Sequence, residues 1–82
     1  MIDIPVDIER ALMRTLRLDV DLLSKEDILT VYEYMFYSEC GVAYDYLVSL
    51  ISQGIYKPSD DALILIKYAS NFLGITYPNL SS

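Results

Sequence analysis

The sequence predicts an all-α protein, a compact antiparallel bundle of three to four helices, and three observations carry that prediction. Apolar residues recur at three- and four-residue spacing in four separate stretches. Serine or an acidic first turn precedes most of these stretches, as helix N-termini favour. Glycine follows the third and fourth stretches at Gly54 and Gly74, where a helix would stop. The chain has 82 residues, which makes one domain, 1–82, with a limited core. A hydrophobic fraction of 54% with only three Gly and three Pro argues against disorder.

The first helix is expected over 5–17. Asp3 or Ile4 precedes Pro5, a good first-turn residue, and Asp7 and Glu9 suit a helix N-terminus. Ile8, Ala11, Leu12, Thr15 and Leu16 share one face; Arg10, Met13, Arg14 and Arg17 share the other. Residues 16–23, LRLDVDLL, alternate apolar and polar as a strand would. With no pairing partner in sight, the run reads as an extended connection that tucks Leu18, Val20 and Leu22 inward.

The second helix is expected over 25–38, with Ser24 as N-cap and an acidic first turn of Lys25-Glu26-Asp27. Ile28, Leu29, Val31, Tyr32, Met35 and Phe36 form its broad core face. Glu26, Thr30, Glu33, Tyr34 and Tyr37 oppose them, and Ser38 to Gly41 makes a tight break. The third helix, 42–53, buries Ala43, Leu47, Leu50 and Ile51, with Tyr44 and Tyr46 on the borders. Asp45, Val48, Ser49 and Ser52 point outward. Ser59 caps the fourth helix, 60–73, whose inward residues are Ala62, Leu65, Ile66, Ala69, Phe72 and Leu73. Ile64 and Tyr68 lie toward its outer side, so this helix is apolar almost all round and a candidate for the centre of the bundle. These two residues and the stretch Tyr77-Pro78-Asn79-Leu80 are free to be exposed or partnered, which leaves oligomeric state open.

Composition narrows the chemistry. The chain contains no histidine, so it has no imidazole base or imidazole metal ligand. One cysteine, Cys40, permits no internal disulfide and makes a four-ligand zinc site untenable. No phosphate-binding loop, dinucleotide fingerprint, zinc-protease motif or calcium loop occurs. The paired carboxylates Glu26-Asp27 and Asp60-Asp61 stand at helix N-termini, where the helix dipole accounts for them. Neither catalysis nor a metal or cofactor is expected. The longest apolar run, Ala62 to Ile66, is far short of the roughly 20 residues of a membrane span. Asp3, Asp7 and Glu9 occupy the place of a signal peptide's positive and apolar regions, so a cytoplasmic protein is expected.

The net charge is −6 and unevenly spread. In residues 1–17, Asp3, Asp7 and Glu9 balance Arg10, Arg14 and Arg17, so the whole excess lies beyond them. Such a surface repels nucleic acid and attracts basic partners. The Arg10, Arg14, Arg17 face is either a solvated helix face or a contact for an acidic partner or anionic lipid.

Five of the eight tyrosines fall within 31–47, VYEYMFYSECGVAYDYL. Glu33, Tyr34, Tyr37 and Asp45 project outward, with Glu39 and Tyr44 at the edge of that surface. Rigid aromatic area ringed by carboxylates suits recognition of a Lys- or Arg-bearing protein. The other reading lays the rings over the core with their hydroxyls in water.

Leu23-Ser24-Lys25-Glu26-Asp27-Ile28, then Ser38-Glu39-Cys40-Gly41-Val42-Ala43, Tyr46-Leu47-Val48-Ser49-Leu50-Ile51 and Leu73-Gly74 together resemble a known pattern. It is that of the MafI-type and related small helical immunity proteins of bacterial toxin systems, and it spans about residues 22 to 75. The immunity proteins of colicin D and of contact-dependent inhibition systems are similar in size, acidity and helical character. The sequence departs from the pattern at Cys40, where an aromatic or His is frequent, and in the tyrosines of its third helix. The resemblance implies an inhibitor, without turnover, of a cognate toxin domain, such as a basic nuclease. Glu33, Glu39 and Asp45 would then steer and pair, and Tyr34, Tyr37 and Tyr44 would supply contact area. The competing expectation is a small adaptor or regulatory subunit that packs its fourth helix on another protein or on a second copy.

Overall fold

The structure is a computed structural model that describes residues 5–75 and residue 77. The expectations for Asp3, for Ile4 and for residues 78–80 lie outside those residues. The described residues form four helices: α1 (Ile8–Leu18), α2 (Lys25–Phe36), α3 (Cys40–Ser52) and α4 (Asp60–Phe72). No strand occurs among the described residues, and the all-α class follows.

The caps explain where the helices start. Ser24 and Ser59 accept from the backbone N–H of Asp27 and Ala62, at 3.1 and 3.3 Å. Asp7 is itself the cap of α1, accepting from the Arg10 N–H at 2.8 Å. The helix therefore begins after Asp7 rather than at Pro5.

The ends of α2, α3 and α4 share one geometry. Each places a residue in the left-handed region and closes with a six-to-one backbone hydrogen bond. In α3 and α4 that residue is Gly54 or Gly74, as expected. In α2 it is Ser38, at φ 60°, with Glu39 N–H donating to the Tyr34 carbonyl at 2.8 Å. Gly41 is consequently not the breaking residue; it lies within the first turn of α3, against Leu73.

Helices α1 and α4 form one closely packed pair and α2 and α3 the other. Both α1 and α3 touch all the other helices, whereas α2 and α4 do not meet. The central positions thus belong to α1 and α3, not to α4. From α1, Ala11, Leu12, Thr15 and Leu16 are buried as their spacing requires, and Thr15 Oγ1 donates to the Ala11 carbonyl at 2.8 Å. On the other face of α1, Arg10 and Arg17 are exposed, but Met13 is half-buried against the core. In α3, Val48 is buried instead of outward, and in α4 Phe72 is exposed instead of inward.

The connection between α1 and α2 inverts its expected orientation. Leu18, Val20 and Leu22 are about half exposed, and Asp19 is only 1% exposed. Asp19 accepts from Tyr56 Oη at 2.5 Å, from Ser59 N–H at 3.0 Å and from Ser59 Oγ at 2.7 Å. Residues 19–22 form a turn, closed by Leu22 N–H donating to the Asp19 carbonyl at 2.8 Å. Strand alternation does not apply to such a turn, and the three donors from the α3–α4 loop decide which side chain enters.

Candidate functional site

Helix α2 carries two apolar stripes, and the core covers one of them. At 100° per residue, Asp27, Val31, Tyr34 and Met35 fall on one side, with Ile28 at its border. Val31 and Met35 are buried there, and Ile28 and Tyr34 are packed partly against the core. Two contacts with α3 fix this rotation. Tyr46 Oη donates to Asp27 Oδ1 at 2.6 Å, and the Tyr34 and Tyr46 rings lie 6.2 Å apart, tilted at 55°. The proton that Tyr46 donates is held more tightly by this bond, which raises its pKa, and burial adds to the shift.

The same rotation turns Leu29, Tyr32 and Phe36 away from the core. Leu29 is 59% exposed and Phe36 82% exposed, and Tyr32 is at the margin of exposure. All three were expected inside. The apolar arc of α2 is wider than its neighbours cover, and the Asp27–Tyr46 bond joins α3 to the half that is covered. Phe36 packs edge-on against Tyr37, with ring centroids 5.4 Å apart at 81°. With Glu33 and Met35, and with Glu9 and Met13 of α1, these side chains line an open groove of about 460 Å³.

Of the six residues singled out in the sequence, the structure brings Glu33 and Tyr37 to this groove. Tyr34 is half-buried in its stack with Tyr46. Tyr44 is wholly buried and has no surface to offer a partner. Burial pushes its phenol up to about 12, against the opposing effect of a hydrogen bond with Ser70. At 100° per residue Tyr44 lies 60° from Leu47, well inside the arc that α3 buries as a central helix, so a border position was not available to it. Glu39 and Asp45 are exposed but do not line the groove. Glu39 precedes α3 without making a side-chain cap.

Sequence reasoning missed Leu29, Tyr32 and Phe36 because they look like core, and missed Glu9 because it looks like a helix-start carboxylate. One signal was available. Phe36 and Tyr37 are neighbours 100° apart on a helix whose core face already held Ile28, Val31 and Met35.

Two further features lie outside this groove. Cys40 is half-buried, and burial together with Glu9 and Asp7 raises its thiol, which opposes the reactive thiolate. A smaller recess of about 280 Å³ on the outer side of α4 is lined by Ile64, Lys67, Tyr68 and Asn71. Among the described residues no group of three or more Cys, Asp or Glu is placed to hold a metal ion, and no helix is long and apolar enough to cross a membrane.

Comparisons with protein-family models, with curated proteins and with solved structures give no match. The chemistry of the groove is therefore read from its own residues: aromatic and aliphatic area, with a carboxylate contributed by each helix.

Proposed function

We propose that this chain is a non-catalytic binding protein of the toxin-immunity kind, which neutralises a cognate bacterial toxin domain by docking on it. The groove of α1 and α2 is the docking face. The observation that carries this reading is the exposure of Leu29, Phe36 and Tyr37 beside Glu33. Covering a large apolar side chain is worth on the order of 1.5–3 kcal/mol, so this cluster holds several kcal/mol that a partner can recover. Tyrosine and phenylalanine at the centre of a patch with charged residues at its rim have the composition of a binding hot spot.

The partner is a basic protein domain, such as a nuclease with a cationic substrate cleft. The net charge of −6, Glu9 and Glu33 on the groove, and Glu39 and Asp45 nearby in sequence all favour such a partner over nucleic acid or an anionic membrane. Inhibition is by occupation, and the complex associates quickly at low salt and more slowly as salt screens the carboxylates. The similarity to MafI-type immunity proteins in the stretches around Ser24, Gly41 and Leu73 supports the toxin reading in particular.

Exposed Ile64 and the recess beside Tyr68 favour a second reading, a small adaptor that packs α4 on another protein. One experiment separates the two. The protein encoded beside this gene is co-expressed with the chain, and growth rescue and co-purification are scored for wild type, Phe36→Asp and Ile64→Asp. Loss of both with Phe36→Asp alone supports the immunity reading. Loss with Ile64→Asp alone supports the adaptor, and a non-toxic neighbour that never co-purifies removes the toxin reading.

A further inference from the structure

We propose that the occupant of the α1–α2 groove is an amphipathic α-helix of the partner, with Lys or Arg on both flanks of its apolar stripe; this rests on the groove being the docking face. Leu29, Tyr32, Glu33, Phe36 and Tyr37 are spaced i, i+3, i+4, i+7 and i+8, a continuous ridge of slightly more than two helical turns. At 1.5 Å per residue it runs about 12 Å along α2. Glu9 and Met13, at i and i+4 on α1, form the second wall. Two helices that leave an open apolar furrow between them offer ridges and grooves into which a third helix packs. An extended strand would instead need a free backbone edge, and among the described residues every regular element is a helix, with its backbone bonds satisfied internally.

Charge selects among helices. Glu9 stands on one wall and Glu33 on the other, so a helix seated between them meets a carboxylate on each flank. A second copy of this chain fits poorly. A two-fold interface through this patch would gather the Glu9 and Glu33 carboxylates of both copies into one interface without a cation among the lining residues, between two bodies each of charge −6. An anionic lipid surface meets the same repulsion.

The test uses two synthetic helical peptides of about 15 residues, long enough to hold helix when bound. Both carry Leu at heptad core positions; one has Lys at the flanks and the other Glu. Each is titrated into the whole chain by NMR, with circular dichroism of the peptide followed in parallel. The Lys peptide is expected to gain helicity, to shift Leu29, Tyr32 and Phe36, and to bind about tenfold or more tighter than the Glu peptide. Glu33→Lys should erase that preference, and Phe36→Asp should abolish binding, both with an unchanged helical spectrum. Equal affinities, shifts confined to Ile64 and Tyr68, or a dimer of the free chain that Phe36→Asp dissolves would each overturn the proposal. If the cognate partner is lost with Phe36→Asp while neither peptide binds, the helical occupant falls and the docking face stands. If the partner survives Phe36→Asp, the docking face itself falls.

Discussion

The α1–α2 turn and the outer face of α2 follow one another in sequence and break the usual partition in opposite directions. At the turn a carboxylate is inside: Asp19 is buried and accepts three hydrogen bonds. On α2 a phenylalanine is outside: Phe36 is the most exposed large hydrophobic side chain among the described residues. The first departure is fully compensated within the chain, since no buried side-chain polar atom lacks a partner among the described residues. The second has no compensation within the described residues. A departure that the fold itself satisfies is structural, and one that it leaves open points to something outside the fold.

Removing Asp19 should therefore have the largest effect on stability. Asp19→Ala leaves Tyr56 Oη, Ser59 Oγ and the Ser59 N–H without their acceptor. The Ser59 hydroxyl also accepts from Ala62 N–H, so the start of α4 loses its orientation. Only the Tyr56 hydroxyl is fully buried, at about 1–3 kcal/mol for a buried group left unpaired, while half-buried Ser59 can turn to water. The loss should be about 2 kcal/mol or more in a urea titration. A loss below about 1 kcal/mol would show that Asp19 is not holding the two loops together.

Two buried tyrosines, one of them the partner of Asp19, set a limit at high pH. Burial, first, and then the hydrogen bond to Asp19 raise the Tyr56 phenol, and burial pushes Tyr44 up to about 12. In the unfolded chain both tyrosines titrate near 10. Below pH 10 both states hold these protons and the stabilisation is fully present. Above it the unfolded chain releases protons that the folded chain keeps, so stability falls as pH rises from about 10 toward 12, by up to about 1.4 kcal/mol per pH unit for each tyrosine. Urea midpoints between pH 8 and 11.5 would show the fall, and Tyr56→Phe should make it shallower, leaving the part due to Tyr44. An unchanged slope in that variant would remove Tyr56 from the account.

A smaller effect is expected where the two regions are linked by the rotation of α2. Tyr46→Phe removes the donor to half-buried Asp27, and should cost about 1 kcal/mol. The sharper readout is the exposure of Leu29 and Phe36, measured by solvent paramagnetic relaxation in NMR. If the Asp27–Tyr46 bond selects the covered stripe, the variant should let Tyr32 and Phe36 sample more buried positions. Unaltered exposure would leave the Tyr34–Tyr46 stack as the selecting contact.

The helices were legible in the sequence because their signals are local. Ser24 and Ser59 cap where their position says they should, and Gly54 and Gly74 take the left-handed conformation that glycine tolerates best. What was not legible depended on distant partners. Nothing within LRLDVDLL says that Asp19 meets Tyr56 and Ser59, which follow it by 37 and 40 residues. Without that meeting, hydrophobicity alone sends Leu18, Val20 and Leu22 inward. The groove proposed for docking was half legible for the same reason. Its carboxylate and tyrosine, Glu33 and Tyr37, are conspicuous as polar and aromatic neighbours, but its apolar centre is indistinguishable from core until α3 is in place. The break expected over Ser38 to Gly41 is shifted toward the N-terminus, because Ser38 takes the left-handed conformation and α3 already begins at Cys40.

The outer face should yield the smallest change in stability, and that smallness is the informative result. If Leu29 and Phe36 served the fold, Phe36→Ser would cost what truncating a core aromatic costs, about 3–5 kcal/mol. At 82% exposure Phe36 has little contact to lose beyond its edge-on packing with Tyr37. The expected change is within about 0.5 kcal/mol, in line with other surface substitutions. Leu47→Ala, at a position wholly buried in α3, supplies the contrasting scale of about 2–5 kcal/mol in the same urea titration. A cost for Phe36→Ser approaching that of Leu47→Ala would mean that the outer stripe is covered in the free chain. The carboxylates of Glu9 and Glu33 would then rim a filled site rather than an open one. A near-zero cost leaves the aromatic ridge without a role in the fold, and a docked partner becomes the simplest reason for its exposure.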